Sequence, residues 1–331
     1  MKNLGKLMKY PSIDQILRDA EILLRQCSTV QDTRYELPAP FIFELSDPMA
    51  RFSCSADNRK SVAISAAESL YFLSGMNGND FIWEFREWEN PKTNQRQEPS
   101  HGLELRFQGQ APEILVNYDW SILLRQRAVG FTDQLENAVE KLKDDKTAKG
   151  AVIQFASVKN PLSVHGVWFR REKDKLEMSV SAGLVNIYTE LGQKVVSPFA
   201  FLHQIVSDLT EIPMGSSCFM IGCLYAEQSL THSTFQKFPE INMANFRYPN
   251  SKLTLRDVDT LMSLMIEFVS RLDENSLMRA NPFEGDPRVQ LYSDYAEIFR
   301  AWRAEKLGYK VLFEKNFYHP QLRFIYKGEA V

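Results

Sequence analysis

The sequence predicts an α/β protein, because segments with helical spacing of apolar residues alternate with short apolar segments typical of strands. The clearest example is residues 161–206, which predict two strands around a turn at 172–175, a loop marked by glycine, and an apolar helix. In that helix Phe199, Leu202 and Ile205 recur at the spacing of one helical face. The rest of the chain is organised around this segment.

The other elements follow in order along the chain. Helices are predicted at 12–27, 61–75, 133–145, 254–272 and 287–306. Strands are predicted at 39–47, 101–107, 112–120, 151–158 and 216–226, with two more in the tail on either side of His319–Pro320. Ser12 and Thr254 suit the N-caps of the first and fourth helices, and Gly75 suits the end of the second.

Composition limits the kind of protein this is. The 331 residues are 44% hydrophobic and 24% charged, which is typical of a globular protein that buries a core. The net charge of −3 argues against a nucleic-acid-binding face built on bulk charge. The sequence shows no run of about 18 apolar residues, so we expect no membrane span, and its start does not predict a secretory signal.

The four cysteines, Cys27, Cys54, Cys218 and Cys223, include no C-x-x-C pair, and no histidine spacing beside them indicates zinc. We therefore expect reduced thiols in a cytoplasmic protein without a metal.

Glu68 stands out in the second predicted helix, because its neighbours in that helix are mostly apolar. The pattern leaves open whether this carboxylate lies at the solvent edge of the helix or faces a pocket. The aromatic stripe of the helix at 287–306 is typical of a core or an interface, and no internal repeat or low-complexity segment is present.

Seven short blocks, in order along most of the chain, resemble those of the thymidylate synthase family. They are FIFELSD at 41–47, ESLYFLSG at 68–75, GFTDQLENAVEKLK at 130–143, SVHGVWF at 163–169, VVSPFAFLHQIVSDLTEIPMG at 195–215, SCFMIGCLY at 217–225 and NFYHPQLR at 316–323. The resemblance implies one domain over residues 1–331, an α/β (α+β) fold with a twisted mixed sheet flanked by helices. The region at about 240–308 is longer and more helical than the family expects.

The family, with its dCMP-hydroxymethylating relatives, transfers a folate-borne carbon to C5 of a pyrimidine nucleotide. A cysteine thiolate adds to C6, a glutamate organises proton transfer, and arginines hold the phosphate. By resemblance Glu68 falls on the catalytic glutamate and His165 on the histidine that follows the nucleophile. Trp83 and Trp88 approximate the tryptophans near the folate site. His203 falls on a helix histidine, for which a buried hydrogen bond is the simpler interpretation.

Several positions depart from the family pattern. Val164 stands where the nucleophilic cysteine belongs, and Gly183 replaces an arginine of the phosphate motif. The aspartate of that motif becomes Asn186, and the asparagine that reads the pyrimidine falls near Lys194. The family motif that follows the helix ends here in Cys223 and Tyr225. The family's pair of arginines is replaced by a single positive charge, Lys149.

These departures leave three functions open. The first is a divergent member that binds or modifies a pyrimidine nucleotide or nucleoside without the usual nucleophile. The second is a catalytically inactive structural or regulatory subunit that acts through protein partners. The third is a C5 methyl or hydroxymethyl transferase with Cys223 or Cys218 as a relocated nucleophile. An ordinary thymidylate synthase is disfavoured, because no cysteine lies between Ala151 and Met214.

The resemblance also implies a homodimer in which two sheets pack back to back and Lys149 reaches the partner's site. Folate would be the cofactor by resemblance alone, and the sequence does not identify the ligand. Asn186, Lys194 and Tyr225 join Lys149 and the two tryptophans as expected ligand-binding residues. If no pyrimidine binds, the helical region at 255–307 is the place to look for a protein partner.

Overall fold

The computed structural model describes residues 7–31, 34–54, 59–75, 81–82, 84–85, 133–144, 150–155, 164–227, 241, 243, 246–249, 252–273, 277, 281–309 and 317–327. The helices are α1 (Ile13–Cys27), α2 (Arg59–Ser74), α3 (Gln134–Asp144), α4 (Ser197–Thr210), α5 (Leu255–Ser270), α6 (Gln290–Lys306) and α7 (Pro320–Lys327), with a π-helix at Ile187–Val196 and a 3-10 helix at Pro287–Val289. The strands are β1 (Met8–Tyr10), β2 (Thr29–Gln31), β3 (Arg34–Glu36), β4 (Phe41–Leu45), β5 (Ala151–Gln154), β6 (Val164–Glu172), β7 (Lys175–Asn186) and β8 (Met214–Ala226).

The strands form one mixed sheet, which confirms the α/β class. Its order is β1-β4-β8-β7-β6-β5, with β3 paired to both β8 and β2. Strands β7 and β8 run parallel, as do β1 and β4, and the other pairs are antiparallel. The parallel pair needs a long crossover, which the π-helix and α4 provide.

The turn predicted at 172–175 joins β6 to β7. Lys173 and Asp174 both have positive φ, at 49° and 63°. A two-residue turn with this backbone matches the right-handed twist of the strands that it connects. The turn therefore fixes the register of the hairpin, in which Glu172 is paired with Lys175.

Helix α4 lies at the centre of the protein, and 13 of its 14 residues are buried. A helix that is apolar on all sides is buried on all sides. It packs against β7, β8, α2, α3 and the π-helix. Pro198 lies in its first turn, as predicted.

His203 on α4 forms two buried hydrogen bonds. Its Nδ1 lies 2.8 Å from the Ser217 hydroxyl and its Nε2 lies 2.6 Å from the Leu176 carbonyl oxygen. Burial lowers the pKa of His203 to about 4, so the ring is neutral at neutral pH. The ring therefore links α4 to β7 and β8 as a structural group.

The aromatic stripe on α6 belongs to the core, as predicted. Tyr295 stacks on Phe201 of α4 with ring centroids 4.9 Å apart, and Trp302 stacks on Phe85 at 4.1 Å. Thr254 caps α5 through a capping box with Asp257, which confirms the predicted helix start.

Two local predictions were wrong. The tail after His319 forms α7 rather than a strand, because proline suits a helix start and Leu322 and Tyr326, four residues apart, are both buried. The predicted loop with Gly192 is the π-helix, because the Asn186 side chain caps its first turn and its apolar residues are buried. The strands predicted at 101–107 and 112–120 lie outside the described residues. None of the described helices is long and apolar enough to cross a membrane.

Candidate functional site

The candidate site lies where β7 and β8 end. Asn186 and Tyr225 are the last paired residues of these parallel strands, and they lie directly opposite each other. Glu36 of β3 pairs with Tyr225 on the other side. Ligands of open α/β sheets bind outside the carboxyl ends of parallel strands, where loops and helices leave the sheet.

Asn186 holds the first turn of the π-helix. Its side-chain oxygen accepts hydrogen bonds from the backbone N–H groups of Tyr188, at 2.9 Å, and Thr189, at 3.3 Å. Its own backbone N–H donates to the Glu190 carboxylate at 2.7 Å. These reciprocal bonds resemble a capping box and fix the position of Glu190. Asn186, which the sequence indicated as a site residue, therefore positions Glu190, which the sequence did not indicate.

Glu190 is the electrostatic centre of the site. Burial raises the pKa of its carboxyl, the Asn186 backbone and Lys194 lower it, and Glu227 and Glu68 raise it. Each of these groups is therefore close enough to act on Glu190. A carboxyl with a raised pKa exchanges its proton nearer to neutral pH, which suits it to donate or accept a hydrogen bond from a ligand.

Tyr225 connects this centre to β3. Burial raises the pKa of its phenol, Glu190 and Glu227 raise it further, and a hydrogen bond from Asn186 opposes them. The Arg34 guanidinium lies over the ring, 5.0 Å from its centroid, and forms an ion pair with Glu227 at 3.6 Å. The phenol hydroxyl is thus influenced by the Asn186 amide, and the Arg34 guanidinium covers the ring.

The structure brings together four of the residues that the sequence indicated, namely Glu68, Asn186, Lys194 and Tyr225. Glu68 is buried, at 6% exposed, so the solvent-edge interpretation of this carboxylate was wrong. The cluster also contains Arg34, Glu190 and Glu227. Glu190 was detectable in the sequence as an acidic residue four positions after a capping asparagine, but Glu227 carried no signal before the strand pairing was known.

The charges of this cluster do not balance. Glu68, Glu190 and Glu227 supply three carboxyl groups, while Lys194 and Arg34 supply two positive charges. A dianionic phosphate would meet repulsion here and would find no set of convergent arginines among these residues. The cluster is better suited to a polar ligand without a strong negative charge.

Cys223 lies near the cluster, but its surroundings favour the thiol. Burial raises the pKa of Cys223, the Glu36 carboxylate raises it further, and Arg34 opposes this. Burial and Glu44 also raise the pKa of Cys218. Because the thiolate is the nucleophile, both environments weaken the reactivity of these cysteines.

His165 lies apart from the cluster. It is exposed and sits at an irregularity of the pairing between β6 and β7, beside the buried Val164. Its side chain forms no hydrogen bond or ion pair with another described residue. Trp83, Trp88 and Lys149 lie outside the described residues. In the part of the chain that the structure describes, no group of three or more His, Cys, Asp or Glu residues could hold a metal ion.

Comparison with known proteins assigns no family to the chain. No protein-family model matches the chain, and no curated protein matches it either.

Proposed function

We propose that this protein binds a pyrimidine nucleoside or nucleotide at the cluster around Glu190, on a thymidylate-synthase-like fold without the family's cysteine nucleophile. One observation supports the proposal. Four residues that the resemblance assigned to catalysis or binding, Glu68, Asn186, Lys194 and Tyr225, come from three separate parts of the chain and act on, or lie beside, the half-buried carboxyl of Glu190.

The chemistry of the cluster suits a pyrimidine base. A pyrimidine presents a short edge of alternating hydrogen-bond donors and acceptors, and amide and carboxyl side chains are complementary to such an edge. The raised pKa of Glu190 lets this side chain serve in either role. The excess of carboxyl groups favours a neutral nucleoside over its monophosphate.

Binding is a better-supported activity than C5 one-carbon transfer. That transfer requires a thiolate to add to C6 of the ring. Cys223 is the only cysteine near the cluster in the described part of the chain, and its raised pKa keeps the thiol protonated at neutral pH. A methyl or hydroxymethyl transferase that uses Cys223 and folate is therefore the less favoured alternative.

Calorimetric titration tests the proposal. We expect deoxyuridine or deoxycytidine to bind, dUMP or dCMP to bind more weakly, and methylene-tetrahydrofolate to be unnecessary. Glu190→Gln should weaken binding about tenfold or more, because it removes the charge of the central carboxyl. Glu140→Gln, an exposed glutamate on α3, is the matched control and should bind as the wild type does.

Two outcomes would count against the proposal. Absence of binding by every pyrimidine, or equal binding by the wild type and Glu190→Gln, would reject the site. Release of tritium from a C5-labelled ligand would show that the protein is an enzyme, and loss of that release in Cys223→Ser would identify its nucleophile.

A second proposal is that the protein is a cytoplasmic homodimer or a non-catalytic subunit, and the sheet supports the association between copies. Val152, Trp168 and Met220, on three different strands, are 45%, 41% and 45% exposed. Val152 is paired with Trp168, so the two large side chains are adjacent on one face of the sheet. An exposed apolar patch on a sheet is typical of a protein interface. This face would be the interface between two copies.

A further inference from the structure

Arg34 lies beyond the carboxyl end of β8, beside the cluster around Glu190. Tyr35 of β3 pairs with Ala226, which is the last residue of β8. Because the two strands are antiparallel, the preceding residue of β3, Arg34, lies past the end of β8 and next to Glu227. Ligands of open α/β sheets bind beyond this end of the strands. The strand pairing therefore places an arginine in the region where a ligand of the cluster would lie.

The guanidinium of Arg34 is in contact with two residues of the cluster, on different sides. Its central carbon lies over the Tyr225 ring, 5.0 Å from the ring centroid. Its Nη2 lies 3.6 Å from Oε1 of Glu227. The N–H groups of a guanidinium point outwards in its plane, so the ion pair uses an edge of the group while the tyrosine ring covers one face.

The opposite face of this guanidinium is available to a ligand. The Arg34 side chain is 42% exposed, and among the described residues no second aromatic ring lies against it. Planar rings, including nucleic-acid bases, stack on the plane of an arginine. Because Tyr225 and Glu227 already hold the guanidinium from one face and one edge, a ring that stacks on the free face orders little additional side chain.

We propose that the pyrimidine ring of the ligand stacks on the free face of the Arg34 guanidinium, and that Glu227 is the residue that positions this face. The inference rests on the proposed function, because it concerns the same ligand at the same cluster. It adds a requirement that hydrogen bonds to Glu190 do not impose, namely that the ring of the ligand is planar and unsaturated. A saturated ring with the same hydrogen-bonding edge is puckered and has no π face to stack.

Calorimetric titration with deoxyuridine and 5,6-dihydrodeoxyuridine tests the proposal. Both nucleosides present the same N3–H, O2 and O4 groups, but the ring of the second is saturated between C5 and C6 and is not planar. We expect the wild type to bind deoxyuridine about tenfold more tightly than its dihydro derivative, as is typical of one stacked base. Equal binding of the two nucleosides by the wild type would overturn the proposal.

Three variants separate stacking from charge. Arg34→Lys keeps the positive charge but has no plane, so it should bind deoxyuridine about tenfold more weakly and the dihydro derivative as the wild type does. Glu227→Gln removes the ion pair that holds the guanidinium and should reduce the preference for the planar ring in part. Arg170→Lys, at an exposed arginine on β6 that also pairs with a glutamate, is the matched control and should keep the full preference.

The stacking role and the proposed function fail in different ways. Binding of deoxyuridine that is weakened in Glu190→Gln but unchanged in Arg34→Lys would leave nucleoside binding in place and would overturn the stacking role alone. A preference for the planar ring that persists in Arg34→Lys would also overturn it, because another group would then stack on the base. Absence of binding by every nucleoside would overturn both proposals.

Discussion

The two faces of the sheet differ in what covers them. On one face Phe43 and Phe219 stack with ring centroids 5.0 Å apart, both fully buried, and α4 packs against β7 and β8. On the other face Trp168 and Met220 are 41% and 45% exposed. The same strands supply both faces, because alternate side chains point to opposite sides.

The two faces also differ in their polar and small residues. On the covered face His203 has a partner for each ring nitrogen. On the open face small residues such as Gly166, Ser179 and Gly222 leave a low surface around the exposed apolar side chains. The exposed apolar side chains and low relief of the open face suit it to a second sheet, which packs about 10 Å away.

The largest expected effect is on the covered face. Phe219→Ala should lower the free energy of unfolding by about 4 kcal/mol, because it leaves a cavity under α4 and removes a stacked ring. Urea unfolding measures this. Met220→Ala, the next residue on the same strand, is the matched control and should change the value by less than about 0.5 kcal/mol in dilute, monomeric protein. Equal losses would mean that the two faces are not distinct.

A smaller effect is expected at His203. His203→Leu should cost about 2 kcal/mol at neutral pH, because it leaves the Ser217 hydroxyl and the Leu176 carbonyl buried without a partner. Chemical unfolding at a series of pH values measures both this cost and its pH dependence.

The sign of that pH dependence follows from the lowered pKa of His203, about 4 in the folded protein. Below pH 6.5 the unfolded chain binds a proton that the folded chain does not, so wild-type stability falls as the pH falls towards 4. The contribution of this one group is about 3 kcal/mol. Burial raises the pKa values of Asp208 and Asp294 to about 7 and about 6, so these two groups make the folded protein more stable as the pH falls. Because both proteins contain them, comparison of the wild type with His203→Leu cancels their contribution. The difference in free energy of unfolding between the wild type and His203→Leu should shrink as the pH falls. A constant difference would contradict the lowered pKa of His203. The exposed His165→Leu is the control.

The smallest effect on unfolding is expected on the open face. Trp168→Glu should change the free energy of unfolding of the monomer by less than about 0.5 kcal/mol, because the residue is exposed. It should nevertheless convert a dimer to a monomer in light scattering, since it places a charge in the proposed interface. Leu264→Glu, at an exposed leucine on α5, should remain dimeric. A wild-type monomer at micromolar concentration would contradict the interface.

Much of the fold could be predicted, because its signals are local. The spacing in α1, α4 and α5 and the turn at Lys173–Asp174 depend on neighbours within a few residues. The strand order is not local, because β8 pairs with β3, β4 and β7 from distant parts of the sequence. Alternation along a strand shows that two faces differ, but it does not show whether the second face is covered.

The candidate site was predictable only in part for the same reason. Glu68 was predicted as a site residue because a carboxylate in an apolar helix is unusual. Asn186 was predicted because it stands where the phosphate motif of the similar family has an aspartate. Arg34 and Glu227 could be assigned to the site only from the pairing of β3 with β8.

The pairing of β4 with β8 has a consequence for synthesis of the chain. Phe41–Leu45 leaves the ribosome early, but its antiparallel neighbour, Ser217–Ile221, is made much later. During translation the edge of β4 towards β8 has no partner, and unpaired edges of apolar strands are prone to aggregate. We therefore expect the nascent chain to depend on chaperones until residue 226 has emerged, after which β8 completes the sheet in one step.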